Sequence, residues 1–447
     1  MTEQKKEKLR ENGKESRRLA EECLSFINNS PSCFHAVANL ARMLEDAGFE
    51  QLMETKEWKL LRGKRYYVTR NSSSILAFSI PEKAETEEGT DGTQDLKGFH
   101  IMAAHSDSPS FKIKPGAELS DNAYVRLNTE KYGGMILSTW LDRGLSVAGR
   151  VVAEQDGQLT EKLVAVDRDL LVIPNVAIHM NREMNKGVEY NPQTDMLPLF
   201  GGKDAAGAFF RLIAQEAGTE PEKLLGTDLY LYVRQKGSFL GADEEFVLSP
   251  RLDDLECAFG AMRALCTSCP GQYVAVGAVF DNEEVGSQTR QGAGSTFLKD
   301  TLENIAEALS IQGGAYKRLL ADSFLISADN AHAKHPNHPE KADPVNAPVL
   351  NGGIVIKYHG GQKYMTDAGS EAYFKQLCRE AGVPFQAYTN RSDIAGGSTL
   401  GNIATAQVPL AGVDIGLPQL AMHSAVETAG SRDIGFLCRA AAQFFSR

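Results

Sequence analysis

The run VAVGAVF at 274–280 carries no polar side chain, and charge begins abruptly after it at Asp281. A short apolar run of this kind, rich in small and β-branched residues, reads as a strand buried on both faces. Comparable runs stand at 99–104 and 324–328, with further strand patterns at 354–358, after Gly352-Gly353, and at 385–388. Alternation at 66–69 and 74–80 around Asn71-Ser72-Ser73 predicts a hairpin. Helical spacing appears between these strands. Leu19, Cys23, Leu24 and Ile27 mark a helix from about 15 that stops near Asn28-Asn29-Ser30-Pro31, and a second runs over 33–45 to Gly48. Leu252, Leu255, Phe259, Met262 and Leu265 mark another, followed by helices over 297–309, 370–381 and 433–445, the last packing Ile434, Leu437, Ala441 and Phe444.

Between 115 and 249 the texture changes. Short β-like runs fall at 123–127, 135–140, 145–152, 163–166 and 229–233, with one helical stretch at 205–217. The α/β pattern resumes afterwards. The expectation is therefore an α/β protein whose main domain, 1–114 and 250–447, is interrupted by a β-rich domain at 115–249. The acidic, Gly- and Thr-rich segment 81–97 predicts a mobile surface loop.

Composition adds exclusions. With 42% hydrophobic and 23% charged residues over 447 positions, the chain has the profile of a soluble globular protein. A net charge of −11 argues against nucleic acid as a partner. No apolar run approaches the length of a membrane span, and the first residues are too polar for a secretory signal, so a cytoplasmic protein with no membrane partner is expected. The seven cysteines follow no disulfide framework, and Cys266 and Cys269, a lone C-x-x-C at a helix end, read as structural.

Candidate chemistry lies where apolar runs stop. His105 with Asp107, Glu283 with Glu284, Asp329, and His423 after 419–422 each follow such a run, and Asp253-Asp254 opens a helix. Singly, each has an ordinary explanation: a solvated turn, a structural histidine, or acidic residues favoured at a helix start. Together they form a histidine and carboxylate set without thiolate, which suits zinc, with cobalt and manganese as alternatives. The donors exceed what one tetrahedral ion needs and fit two ions sharing a carboxylate, with a spare carboxylate such as Glu283 serving as base. His335 and His338, in HPNHP, read as loop residues near the pocket. The glycines at 396–401 lack the lysine of a phosphate loop.

Taken with their order, HSDSP at 105–109, RLDD at 251–254, DNEEVGS at 281–287, SADNAHAKHP at 327–336 and AMHS at 421–424 resemble the signature segments of the M18 metalloaminopeptidases, the aspartyl aminopeptidase family. The resemblance extends to SPSCFHAVANL, RNSSSILAF and GGIVIKYHGGQKY, spanning nearly the whole chain. It implies a mixed-sheet, zinc-peptidase-like catalytic domain with helices on both faces, and an insert that serves dimerisation and oligomerisation. It implies metal ligands His105, Asp253, Glu284, Asp329 and His423, with Asp253 bridging, Asp107 orienting His105, and Glu283 as the base that takes a proton from a water shared by the ions. Substrate contacts are implied for His332, Lys357 and Tyr364, and for His179 reaching a neighbouring subunit's site within a tetrahedral dodecamer. The segment NRSDIAGGSTLGN at 390–402 is more similar to a bacterial branch than to the eukaryotic members specific for acidic residues, which leaves the preference for N-terminal Asp or Glu open. The expected activity is removal of single N-terminal residues from peptides with a free N-terminus. A co-catalytic deacetylase or dipeptidase, and a non-catalytic peptide-binding shell, are the alternatives.

Overall fold

The computed structural model describes residues 3–82 and 96–447, with the side chains of 3–12 left aside. Most of the segment expected as a mobile loop, 83–95, therefore lies outside the described residues.

Nine strands form the central sheet, in the order Glu50–Leu52, Arg65–Arg70, Ser74–Ser79, Tyr273–Phe280, Gly98–His105, Phe324–Ala328, Ala411–Gly416, Ile354–Tyr358, Phe385–Thr389. The four middle strands, from Tyr273–Phe280 to Ala411–Gly416, are parallel, and antiparallel neighbours flank them on both sides, so the sheet is mixed. Alternate side chains of the middle strands enter different cores, as the two-residue period of a strand requires. Met102, Ala104, Ala275 and Val279 pack with the helices Cys33–Asp46, Leu252–Thr267, Ala368–Ala381 and Asp433–Phe445. Phe99, Ile101, Ala103, Val276 and Phe280 pack on the other face with Phe297–Ala308, Gly314–Ala321 and Leu400–Gln407. The unbroken apolar runs of the sequence follow from this double burial.

A six-stranded antiparallel sheet is built from residues between Ser110 and Val233, around a separate core that includes Phe111, Leu127, Trp140, Val147, Phe209 and Leu231. Two local expectations fail within it. The stretch 135–140, expected as a strand, ends in the 3-10 turn Leu137–Trp140, because Trp140 must turn inward to meet the Phe111 ring edge-on at 5.3 Å. The helix expected over 205–217 is regular only over Phe209–Glu216, since Gly207 takes φ +72 and breaks it from the turn Lys203–Ala205. A third sheet of five strands joins Ser238–Leu240 and Phe246–Ser249, grouped with the insert in the sequence reading, to Glu427–Gly430, Pro418–Leu420 and Ala331–His332.

His100 illustrates how tightly the central sheet is closed. Its ring lies between Tyr273 and Phe444, at 3.8 and 4.3 Å, and its Nδ1–H donates to the Phe444 carbonyl at 2.8 Å. Burial first, and then the Arg447 charge, hold the imidazole at about 4 against an ordinary 6.5. Because the folded value lies below the unfolded one, the unfolded chain takes up the proton first. Stability from neutral His100 is thus complete above pH 6.5 and is lost as pH falls towards 4, by on the order of 3 kcal/mol. The expected result is that His100→Asn, which keeps a donor for Phe444, is less stable than wild type at pH 7 but nearly matches it at pH 4.5. Urea midpoints at the two pH values read this directly, and an unchanged gap would count against a neutral, buried His100.

Candidate metal centre

Distant segments converge at the carboxyl end of the parallel strands, the usual place for a site in such a sheet. His105 is the last residue of Gly98–His105, Asp329 directly follows Phe324–Ala328, and Glu283 and Glu284 occupy the 3-10 turn Glu283–Val285 beyond Tyr273–Phe280. Asp253 comes from the start of Leu252–Thr267, where it and Asp254 depart from helical dihedrals. That departure weakens the ordinary reading of the pair as acidic residues favoured by a helix N-terminus. His423 lies outside the central sheet, in a turn beyond Pro418–Leu420 with φ +66.

The Asp253 carboxylate stands between two histidines. Its Oδ1 is 3.6 Å from His105 Nε2 and its Oδ2 is 3.3 Å from His423 Nε2. On the far sides, His105 Nε2 is 3.9 Å from Asp329 Oδ1, and His423 Nε2 is 3.4 Å from Glu284 Oε2. Two donor groups result, His105, Asp253, Asp254 and Asp329, and Asp253, Glu284 and His423, with all chosen donor atoms of a group within 4.8 Å of one another. The second nitrogen of each ring is taken by a carbonyl: His105 Nδ1 by Asp107 O at 3.1 Å and His423 Nδ1 by Gly134 O at 2.6 Å. With Nδ1 donating, each Nε2 turns a lone pair towards carboxylate oxygens, which requires a cation or a proton between them. Asp253 Oδ1, Asp254 Oδ1 and Glu284 Oε1 are buried with no hydrogen-bond partner. The residues therefore suit a cationic group on both sides of Asp253.

The electrostatics agree. Burial, and then Asp253, hold the Glu284 carboxyl well above its ordinary value. Glu283 is pushed up to about 7, first by burial and then by Asp329 and Asp107 against the opposing pull of His105. Burial alone would lower the His423 imidazole, but Asp253 and Glu284 push it up to about 10. Such a cluster holds more negative charge than its own cations balance.

Asp107, expected to orient His105, reaches that ring from its main chain and its side chain and also holds the glutamate turn. Its main-chain oxygen takes the His105 ring, with Oδ1 at 3.5 Å. The carboxylate accepts the main-chain N–H groups of Glu283 and Glu284, at 3.1 and 3.2 Å, and the Tyr132 hydroxyl at 2.7 Å. Tyr132 also accepts from Asn282 Nδ2 at 2.8 Å, so the loop bearing both glutamates is anchored to the six-stranded sheet. Next to Tyr132, Gly133 has φ +77, and a Cβ there would come within 3.1 Å of Glu284 Cβ. Tyr132, Gly134 and Glu427, which accepts from the main chains of Asp253 and His423, escape sequence reasoning. No apolar run or charge cluster marks them.

Lys357 is buried, with Nζ 3.3 Å from Asp329 Oδ2 and 5.5 Å from the Tyr364 ring centroid. Burial would lower its ammonium, but Asp329 outweighs burial and the net shift is upward. Asp329 moves the opposite way, below the ordinary carboxylate range, because Lys357 and His105 outweigh its burial. His332 opens onto a pocket that includes His335, Lys341, Tyr388 and Arg391, and its ring meets Tyr388 edge-on at 6.0 Å. Its imidazole is lowered, first by burial and then by Lys357. The His335 and His338 rings lie 5.2 Å apart in the loop, tilted at 39° to each other. His179 is exposed in a turn of the segment between Ile173 and Leu199 and belongs to neither donor group. Cys266 is half-buried and Cys269 exposed, both as free thiols.

Comparison with known proteins matches residues 26–445 to the model of the aminopeptidase I zinc metalloprotease (M18) family. A probable M18 family aminopeptidase 2 of Clostridium acetobutylicum is 43% identical over 96% of this chain and 98% of its own. Among solved structures, the cryo-EM structure of an Ape4 and Nbr1 complex superposes with a TM-score of 0.91 at 37% identity, covering 96% of this chain and 86% of that one. The mApe1 dodecamer of S. cerevisiae superposes with a TM-score of 0.81 at 27% identity, covering 96% of each.

Proposed function

Because this chain belongs to the aminopeptidase I zinc metalloprotease (M18) family and is a metallo-aminopeptidase, we propose that it removes single N-terminal residues from peptides at a centre of two divalent ions, zinc foremost. His105, Asp253 and Asp329 would hold one ion, and Asp253, Glu284 and His423 the other. The observation that carries this reading is the Asp253 carboxylate, with one oxygen towards each histidine Nε2. When bound, a pair of such ions polarises the scissile carbonyl and makes water nucleophilic at neutral pH.

The side chains divide the remaining work. Glu283 takes the proton from the attacking water and returns it to the departing amine. Asp107 fixes the Glu283-Glu284 main chain, which sets where both carboxylates point. Lys357 neutralises one oxygen of Asp329, leaving the other directed at His105. His332, Lys357 and Tyr364 would line the place of the first substrate residue. The Lys357 ammonium supports a preference for Asp or Glu there. Since Asp329 already balances that charge, the preference is expected to be modest, about ten-fold in kcat/KM over neutral residues.

Likeness to the mApe1 dodecamer supports a tetrahedral dodecamer for this chain, with residues 115–249 as the assembling domain and the exposed His179 facing a neighbour's site. Among the described residues no helix is long and apolar enough to cross a membrane.

Aminoacyl anilides with varied first residues, compared with N-acetyl amino acids on metal-free protein and after adding zinc, cobalt or manganese, test the proposal. Hydrolysis of the anilides alone, and only with metal, is expected. Turnover of the N-acetyl compounds instead would assign the centre to a deacetylase.

A further inference from the structure

We propose that Glu427 is a positioning residue for the metal centre. It holds Asp253 and His423 in mutual register through their main chains, so that the ion site of Asp253, Glu284 and His423 depends on it. The inference rests on the two-ion reading and adds a residue to it.

Glu427 opens the strand Glu427–Gly430 and is 2% exposed. Its two oxygens are used separately. Oε2 accepts the N–H of Asp253 at 3.1 Å, and Oε1 accepts the N–H of His423 at 2.7 Å. Gln419 Nε2 also reaches Oε1, at 3.4 Å. Among the described residues no ion pair neutralises Glu427, and Asp253 is a near neighbour of like charge. Burying a carboxylate under such conditions is unfavourable unless its hydrogen bonds perform a task a neutral side chain cannot. A carboxylate offers an acceptor on each oxygen, so it can grip N–H groups from separate segments with separate oxygens; an amide of the same size puts a donor in place of one of them.

His423 most needs such a grip. Its backbone is left-handed, at φ +66, which is unfavourable for a residue with a Cβ. What keeps it there is peripheral: Glu427 on its N–H, Ile136 N on its carbonyl at 2.9 Å, and Gly134 O on its ring. Asp253 has no helical partner to fix its N–H, because it lies before the regular part of its helix. The other ion site shares Asp253, but its remaining ligands are held by different groups. The His105 main-chain N–H goes to Asp254 Oδ2 at 3.1 Å, and its ring goes to Asp107 O. Removing the Glu427 grip should therefore act unequally on the two sites.

The test uses full-length protein titrated with cobalt(II) against a competing chelator, reading stoichiometry and the visible absorption of the bound ion. Wild type is expected to bind cobalt in two steps. In Glu427→Gln one step is expected to stay near wild type, while the other weakens about 10–100-fold with an altered visible spectrum, as when partners behind a ligand are removed. Glu427→Asp, which keeps both oxygens on a shorter arm, should fall between the two, and it carries the test alone if the glutamine variant does not fold. Asp433→Asn separates positioning from plain structural support. Asp433 is also buried and accepts two main-chain N–H groups, from Asn351 and Gly353, but it touches no ligand. That variant should melt at lower temperature with both cobalt steps unchanged. Wild-type binding in both steps for the Glu427 variants, or equal weakening in Asp433→Asn, would overturn the assignment. A wild-type chain that binds no cobalt would instead overturn the two-ion reading itself.

Discussion

Glu283→Gln is expected to keep the metal content of wild type while kcat falls by about 10²–10⁴-fold, with KM changed little. The side chain lies on the turn that presents Glu284, yet it is absent from both donor groups, so the substitution should leave the ions in place. Its main-chain N–H, the part that orders the turn, is held by Asp107 and survives the change. What disappears is an oxygen able to carry a proton from water to the departing amine. Metal analysis beside steady-state kinetics reads both halves of this expectation. Retained turnover would remove Glu283 from the role of base, and loss of metal together with turnover would make it a ligand.

A second substitution should be more damaging still. Asp253→Ala removes the one carboxylate common to both donor groups, so neither ion keeps its full set. The expected outcome is loss of most bound zinc from both sites and activity at or below the level of Glu283→Gln. Each histidine would keep one carboxylate neighbour, Asp329 for His105 and Glu284 for His423, but the acceptor common to both would be gone, so the defect should resist added zinc at moderate excess. Asp329→Ala offers the contrast. It strips one group only, leaving Asp253, Glu284 and His423 together, and it releases Lys357 from its partner. If Asp253→Ala retained two tightly held ions, the bridging geometry proposed for this side chain would have to be abandoned.

Much of this centre was legible because of how the sheet is buried. Strands covered on both faces must be apolar throughout, so the first charged residue beyond each marks the end where ligands gather. That logic reached His105, Asp329 and the Glu283-Glu284 pair directly, and the Asp253-Asp254 start of a helix by composition. It reached His423 as well, but not the fact that this residue comes from a turn of the small sheet, since a short apolar run before a histidine looks the same in either sheet. Long-range hydrogen bonds leave no periodic trace. Neither the Glu427 contacts nor the Asp107 grip on the glutamate turn could be read from spacing. In the six-stranded sheet the stretch before Trp140 carried a strand-like pattern, but an aromatic contact outweighed it, and one left-handed glycine shortened a helix whose apolar spacing was otherwise sound.

The Tyr132-to-Gly134 turn ties the six-stranded sheet to the chemistry, with one hydroxyl on Asp107 and one carbonyl on the His423 ring. Excising 115–249 to make a smaller, monomeric peptidase would therefore remove part of the reaction chamber along with the proposed means of assembly. For the same reason, a chimaera that grafts this insert from a relative must carry over a matching tyrosine and a glycine pair, or its host will lose grip on a histidine almost three hundred positions away.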